Sequence, residues 1–230
     1  MNVCSSFNRY IYDSIISHWD SDALTDYQGQ TLQFHDVARK IEKLHILFEH
    51  SGIVAGDKIA ICGRNSAHWA VAFLATLTYG AVAVPILHEF NSEQIHNIVN
   101  HSESRLLFVG DYVVNIIKAD EMPNLEGIFN LPDFSLHTCR NEKLSDARER
   151  LNQLFGAKYP NAFRRDDIHW HVDTPDELCM INYTSGTTGF SKGVMLPYRA
   201  LWGNVDFCQK RLGTYMPRFS RMQCLLPLAH

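Results

Sequence analysis

The chain has 230 residues, 46% of them hydrophobic and 20% charged, and its 21 Lys+Arg against 25 Asp+Glu leave a formal net charge of −4. Such a chain can bury a core without disulfide or metal staples, which excludes a disordered tract and a mini-protein scaffold. The slightly acidic balance and the lack of a basic block remove the electrostatic footprint of nucleic-acid binding, so nucleic acid is not an expected partner.

In chain order, the first residues carry no secretory signal, because Arg9, Asp13 and His18 interrupt each early apolar stretch. Val37, Ile41, Leu44 and Phe48 then recur at helical spacing over residues 34–50, ahead of Gly52 at a C-cap position. Strands are expected at 58–62, 81–84 and 105–109, alternating with helices at 66–79 and 92–101. Within this stretch Trp69 to Leu87 carries no charge, but Gly80 and Pro85 divide it into a helix and a short strand, so no transmembrane segment is expected. Short β-branched runs alternating with helical patterns of ten or more residues predict an α/β fold, with parallel-sheet layers flanked by helices.

Farther on, residues 125–131 read as a strand and 143–155 as a charged surface helix. Residues 156–175 are polar and turn-rich, which predicts a long surface connection and the one candidate boundary. Strands at 178–183 and 194–196, a helix at 198–212 and a final apolar strand at 223–228 complete the series. An apolar run at the end of a sequence buries well only under further chain, so these 230 residues read as a piece of a longer protein. No internal repeat or low-complexity tract is present.

The six cysteines, Cys4, Cys62, Cys139, Cys179, Cys208 and Cys224, form no C-x-x-C pair, which predicts free buried thiols and a reducing, cytoplasmic location. His169 and His171 have the i, i+2 spacing that would place both rings on one face of a strand. With no third ligand nearby in sequence, they are read as solvated surface histidines and not as a metal site.

The segment richest in chemistry is Tyr183-Thr184-Ser185-Gly186-Thr187-Thr188-Gly189-Phe190-Ser191-Lys192-Gly193. Three glycines let the backbone bring N–H groups to phosphate oxygens, five hydroxyls add donors, and a lysine adds a mobile positive charge. It is not a Walker A loop, because Ser191 precedes the lysine and a strand follows in place of a helix. The expectation is a polyphosphate cradle between two strands.

Ile181 through Lys192, followed by G-V-M-L, resembles the AMP-binding signature of the adenylate-forming superfamily of acyl-CoA synthetases, peptide-synthetase adenylation domains and luciferases. Upstream, Gly56-Asp57-Lys58-Ile59-Ala60-Ile61, Asn65, Trp69 and Gly80 to Pro85 are similar to a second pattern of those enzymes, and Leu226-Pro227-Leu228-Ala229-His230 is similar to their L-P-L-x-H motif. Residues 92–109 look most like long-chain fatty acyl-CoA synthetases. Two departures are Ser191, where proline is commoner, and Pro197-Tyr198, where many relatives have a hydroxyl residue and a histidine.

This resemblance implies an AMP-forming acid–thiol ligase. A carboxylate, most simply a long-chain fatty acid, attacks the α-phosphate of ATP-Mg²⁺, pyrophosphate leaves, and coenzyme A then displaces AMP. Thr184, Ser185, Gly186, Thr187, Thr188, Gly189 and Lys192 would contact phosphates, Thr184 would take part in Mg²⁺ binding, Lys192 would act in catalysis, and His230 would line the acyl-adenylate pocket. The chain would be the N-terminal portion of the adenylation domain without the C-terminal lid, inactive alone, and peripheral contact with a membrane stays open. Aryl or short-chain acyl ligases, peptide-synthetase-type adenylation domains and a non-catalytic binding module are the competing readings.

Overall fold

The computed structural model describes residues 6–184, 192–216, 220–224 and 226–229. Helix α1 (Phe7–Ser17) opens the chain, followed by the antiparallel strands β1 (Asp22–Thr25) and β2 (Thr31–Gln33) and by helix α2 (Phe34–His50). α2 ends as its sequence predicts, at Gly52 with φ +76°, where Ile53 N–H returns to Phe48 O at 2.9 Å.

The alternating series then appears as β3 (Lys58–Cys62), α3 (Ala67–Tyr79), β4 (Val82–Ile86), α4 (Ser92–His101) and β5 (Leu106–Val109), followed by the short α5 (Asp111–Val114). Ser66 caps α3 by accepting from Trp69 N–H, and left-handed Gly80 ends it. Asn91 and Gln94 form a reciprocal capping box on α4, at 2.9 and 3.0 Å. β6 (Gly127–Asn130), β7 (Leu136–Cys139), α6 (Glu142–Glu149), α7 (Leu151–Lys158), β8 (Leu178–Thr184), β9 (Lys192–Pro197) and α8 (Tyr198–Leu212) complete the elements.

Seven strands form one sheet in the order β7-β6-β5-β3-β4-β8-β9, parallel from β6 to β8 with antiparallel β7 and β9 at its edges. The α/β expectation therefore holds. β3 alternates faces, Ile59 and Ile61 entering the core under α2 and α3 while Ala60 and Cys62 enter the core under α4. Leu106/Phe108 and Leu107/Val109 of β5 divide the same way. Burial on both faces explains why these strands read as unbroken apolar runs. It also explains α3, whose buried Trp69, Val71, Ala72, Ala75 and Leu77 belong to a core helix. No helix among the described residues is long and apolar enough to cross a membrane.

Several expectations need adjustment. Residues 156–175 run largely over the surface, as expected, but are pinned at several points: Phe163 and Ile168 are buried, Tyr159 Oη and Trp170 Nε1 donate to the buried Glu42 carboxylate at 2.7 and 2.9 Å, and Asp173 accepts from the N–H groups of Phe7 and Asn8. Residues 223–228 form no strand where described, and Leu226 is 74% exposed. The cysteines are not uniformly buried, since Cys208 and Cys224 are exposed. The charged helix expected at 143–155 is two helices, broken at Arg150.

Candidate functional site

The β8–β9 hairpin carries the signature segment. Its register pairs Tyr183 with Gly193 and Thr184 with Lys192, so the Thr184 hydroxyl and the Lys192 ammonium leave the same face of the ribbon as direct cross-strand neighbours. Such pairs hold their Cβ atoms ~4.5–5.5 Å apart. Both side chains are exposed at the mouth of the loop. Ser185, Gly186, Thr187, Thr188 and Gly189 lie outside the described residues, as does His230.

Beneath the mouth the hairpin is rigidly seated. A Cβ on Gly193 would stand 2.9 Å from Ile181 Cγ2 and 3.1 Å from Tyr183 Cζ, so only glycine lets β9 approach β8 here. Tyr183 is buried, which raises the pKa of its phenol, and its hydroxyl hydrogen-bonds His101 Nδ1 at 2.7 Å, tying the hairpin to the end of α4. On the other side Pro197 leads directly into α8, and Tyr198 is a buried strut whose hydroxyl donates to Leu77 O at 2.6 Å. The Pro197-Tyr198 departure thus replaces one helix start with another that is anchored to α3.

The upstream pattern divides into structural and site-facing residues. Gly56, at φ +87°, donates to Gly80 O at 2.9 Å, and Asp57 takes Val54 N–H and the Arg105 guanidinium at 2.8 and 2.5 Å. These contacts join the starts of β3, β4 and β5. Trp69 is buried and stacks on Phe73. Asn65 differs. Its Nδ2 donates to Leu226 O at 2.7 Å and its Oδ1 accepts from Leu228 N–H at 2.8 Å, so one amide clasps the L-P-L segment next to His230.

Strand direction gathers these groups. β8 runs parallel to β4, and β4 to β3, so Thr184 at the end of β8, Lys192 at the start of antiparallel β9 and Asn65 just after β3 all lie at the carboxyl edge of the sheet. The chain order reverses between β3 and β5, and the crevice outside such a switch point is where open α/β sheets bind ligands. A cavity of about 800 Å³ opens there, with Gly63, Arg64, Asn65, Ser66 and Gly110 in its wall. Sequence reasoning quoted Asn65 without a role and missed the Tyr183–His101 anchor. Neither had a local signal, because their partners lie 161 and 82 residues away.

The histidine pair is not brought together as a metal site. His169 is exposed, whereas His171 packs beneath Gly80 with Nε2 at 2.6 Å from Glu177 Oε1, so His171 is half-buried and paired, not a solvated surface residue. Among the described residues no three His, Cys, Asp or Glu side chains gather as a metal centre. The oxygen that the described part of the loop offers a phosphate-borne Mg²⁺ is the Thr184 hydroxyl, exposed beside Lys192, a donor type suited to that hard cation.

A family model described as AMP-binding enzyme matches residues 15–230. The chain is 26% identical over 188 residues to fatty acyl-CoA synthetase A of Dictyostelium discoideum, covering 78% of this chain and 26% of that protein. It is 27% identical over 199 residues to nonribosomal peptide synthetase NPS2 of Ceriporiopsis subvermispora, covering 82% of this chain and 7% of that one. Its fold superposes on a long-chain-fatty-acid-CoA ligase (FadD1) from Archaeoglobus fulgidus with a TM-score of 0.73 at 18% identity, over 97% of this chain and 42% of that one. The chain therefore spans well under half the length of these relatives.

Proposed function

The chain belongs to the AMP-binding enzyme family, and on that premise we propose that it is the N-terminal portion of an ATP-dependent ligase that activates a long-chain fatty acid and transfers the acyl group to coenzyme A. The observation that carries this reading is the convergence at one sheet edge of the Thr184–Lys192 pair and the Asn65-held segment preceding His230. In the first half-reaction the substrate carboxylate attacks the α-phosphorus, the bond to the bridging oxygen breaks, and pyrophosphate departs with the electron pair. Lys192, the Thr184 hydroxyl and the N–H and hydroxyl donors of residues 185–189 would grip the β- and γ-phosphates and stabilise the charge that develops there. Bound Mg²⁺ would neutralise phosphate charge, with Thr184 the residue of this chain to hold it. His230 would border the acyl-adenylate, and the thiol of coenzyme A would then displace AMP in a second step served by groups outside this chain. The five cysteines among the described residues are free thiols, which supports a cytoplasmic setting for this proposal.

The match to fatty acyl-CoA synthetase A favours a fatty substrate, while that to the peptide synthetase supports a second reading, an adenylation domain loading a carrier protein. ATP–pyrophosphate exchange by the full-length protein with fatty, aryl and amino acids separates the two. Fatty-acid-dependent exchange is expected, and Lys192→Ala should lower it about ten- to a hundredfold, the worth of one charge-assisted phosphate contact. Exchange only with amino acids would overturn the fatty-acid reading. Undiminished exchange in Lys192→Ala would remove the lysine from the phosphate site.

A further inference from the structure

A second charged feature lies on the other half of the sheet. Between α2, the β6–β7 turn and α6–α7 a cleft of about 500 Å³ is walled by Arg39, Lys40 and Lys43 of α2 and by Arg148 of α6. None of the four forms a salt bridge with another described residue, although acidic residues outnumber basic ones in the chain. Lys43 Nζ donates to the neutral Asn152 Oδ1 at 2.9 Å and lies over the Phe155 ring, and Arg148 Nε donates to the Phe134 carbonyl at 2.7 Å.

Two carboxylates also border the cleft and attract its cations, Asp36 acting on Lys40 and Asp133 on Arg148, so the four cations are only half balanced. Asp36 accepts from Gln33 N–H at 3.1 Å, capping α2, and Asp133 accepts from Ser135 N–H at 2.9 Å in the β6–β7 turn. Lys40 and Lys43 are both held below the ordinary lysine pKa, first by partial burial; Asp36 partly offsets this at Lys40, whereas Lys43 is lowered further by the like charges of Lys40, Arg39 and Arg148. Four cations against two carboxylates leave the cleft net positive, in a concave, partly desolvated setting that focuses the field.

We propose that this cleft is a second anion site, which binds the phosphate or pyrophosphate group of a small soluble molecule between Lys40, Lys43, Arg148 and the Asn152 amide. Arg39, at the exposed rim, draws the anion in. The volume accommodates a pyrophosphate or a sugar phosphate, and the donors are of the kind that form charge-assisted bonds to phosphate oxygens. Strands β5, β3, β4 and β8 separate β6, at whose turn the cleft lies, from β9, which carries Lys192, so five strand spacings of ~4.8 Å keep the two sites apart.

Equilibrium dialysis of labelled pyrophosphate against the full-length protein, its Lys40→Gln/Lys43→Gln variant and its Lys192→Ala variant tests the proposal. The double variant should lose one binding site, with at least a tenfold fall in affinity, while Lys192→Ala retains it. That outcome is independent of whether Lys192 itself holds phosphate. Hydrogen exchange should show pyrophosphate protecting residues 39–43 and 148–152 in the parent and not in the double variant. Removing like charges should leave the unfolding midpoint unchanged or higher, so a lower midpoint would mean that the lysines serve the fold and would overturn the proposal. Unchanged pyrophosphate binding in the double variant, or a response of the cleft to phosphatidic-acid vesicles and none to free pyrophosphate, would overturn it equally.

Discussion

Replacing Asn65 by alanine tests the link between the two distant motifs. The side chain makes two hydrogen bonds, to Leu226 O at 2.7 Å and from Leu228 N–H at 2.8 Å, in an exposed setting. A net hydrogen bond contributes about 0.5–1.5 kcal/mol, and exposure favours the lower part of that range, so the pair should hold the segment by about 1–2 kcal/mol. Losing that amount multiplies the open population of residues 226–229 by about 5–30. The assay is amide hydrogen exchange at Leu228, whose own N–H is one of the two donors, with β3 as the internal reference. In Asn65→Ala the Leu228 amide should exchange about 5–30 times faster while the amides of Ile59 to Cys62, buried at the sheet centre, keep their rates. Asn65→Asp, which keeps an acceptor for Leu228 N–H but loses the donor to Leu226, should fall between. If Leu228 exchanges at the parent rate in the alanine variant, Asn65 does not hold the segment. If β3 accelerates equally, the residue supports the whole fold and the local argument fails.

Gly193→Ala should destabilise the chain by about 1–3 kcal/mol, because its Cβ would meet Ile181 and Tyr183 at 2.9 and 3.1 Å; thermal unfolding would register this as a fall of a few degrees. Burial lowers the pKa of His45 to about 4 against an ordinary 6.5, so the unfolded chain binds the extra proton between those values. Stability from neutral His45 is accordingly complete above pH 6.5 and is lost as the pH falls towards 4, on the order of 3 kcal/mol in all, and denaturant titrations of His45→Gln should show a shallower loss across that window. Thiol titration of the native protein should label exposed Cys208 and Cys224 rapidly. Cys62 and Cys179, pushed up to about 12 by burial, should stay silent until unfolding, and early labelling of either would contradict their placement.

Local pattern was sufficient wherever an element is defined by its own residues. The period of Val37, Ile41, Leu44 and Phe48 and the stop at Gly52 mark α2, and the start of α8 at Tyr198 is legible as well. The glycines, hydroxyls and lysine of residues 183–193 mark a loop between two strands, because backbone approach and phosphate chemistry restrict which residues can stand there. The strands β1, β2 and β7 went unread, since three- and four-residue strands give too few repeats for a period to appear, and the 11-residue α1, with buried Phe7 and Ile15, went unread as well.

Tertiary structure alone decided which distant residues meet. Apolar residues at 223–228 suggested a strand, yet a strand needs a partner with open hydrogen-bonding groups, and the segment instead lies under the Asn65 amide. The polar stretch 156–175 predicts a surface connection and is largely exposed, but that Glu42 of α2 pins it to the core through Tyr159 and Trp170 was visible only in the structure. The strand order that brings Thr184, Lys192 and Asn65 to one edge follows from how the helices cover both faces of the sheet. Periodicity is a property of neighbours in sequence and fixes each element, whereas strand order and buried polar pairing depend on global packing, which no single segment encodes.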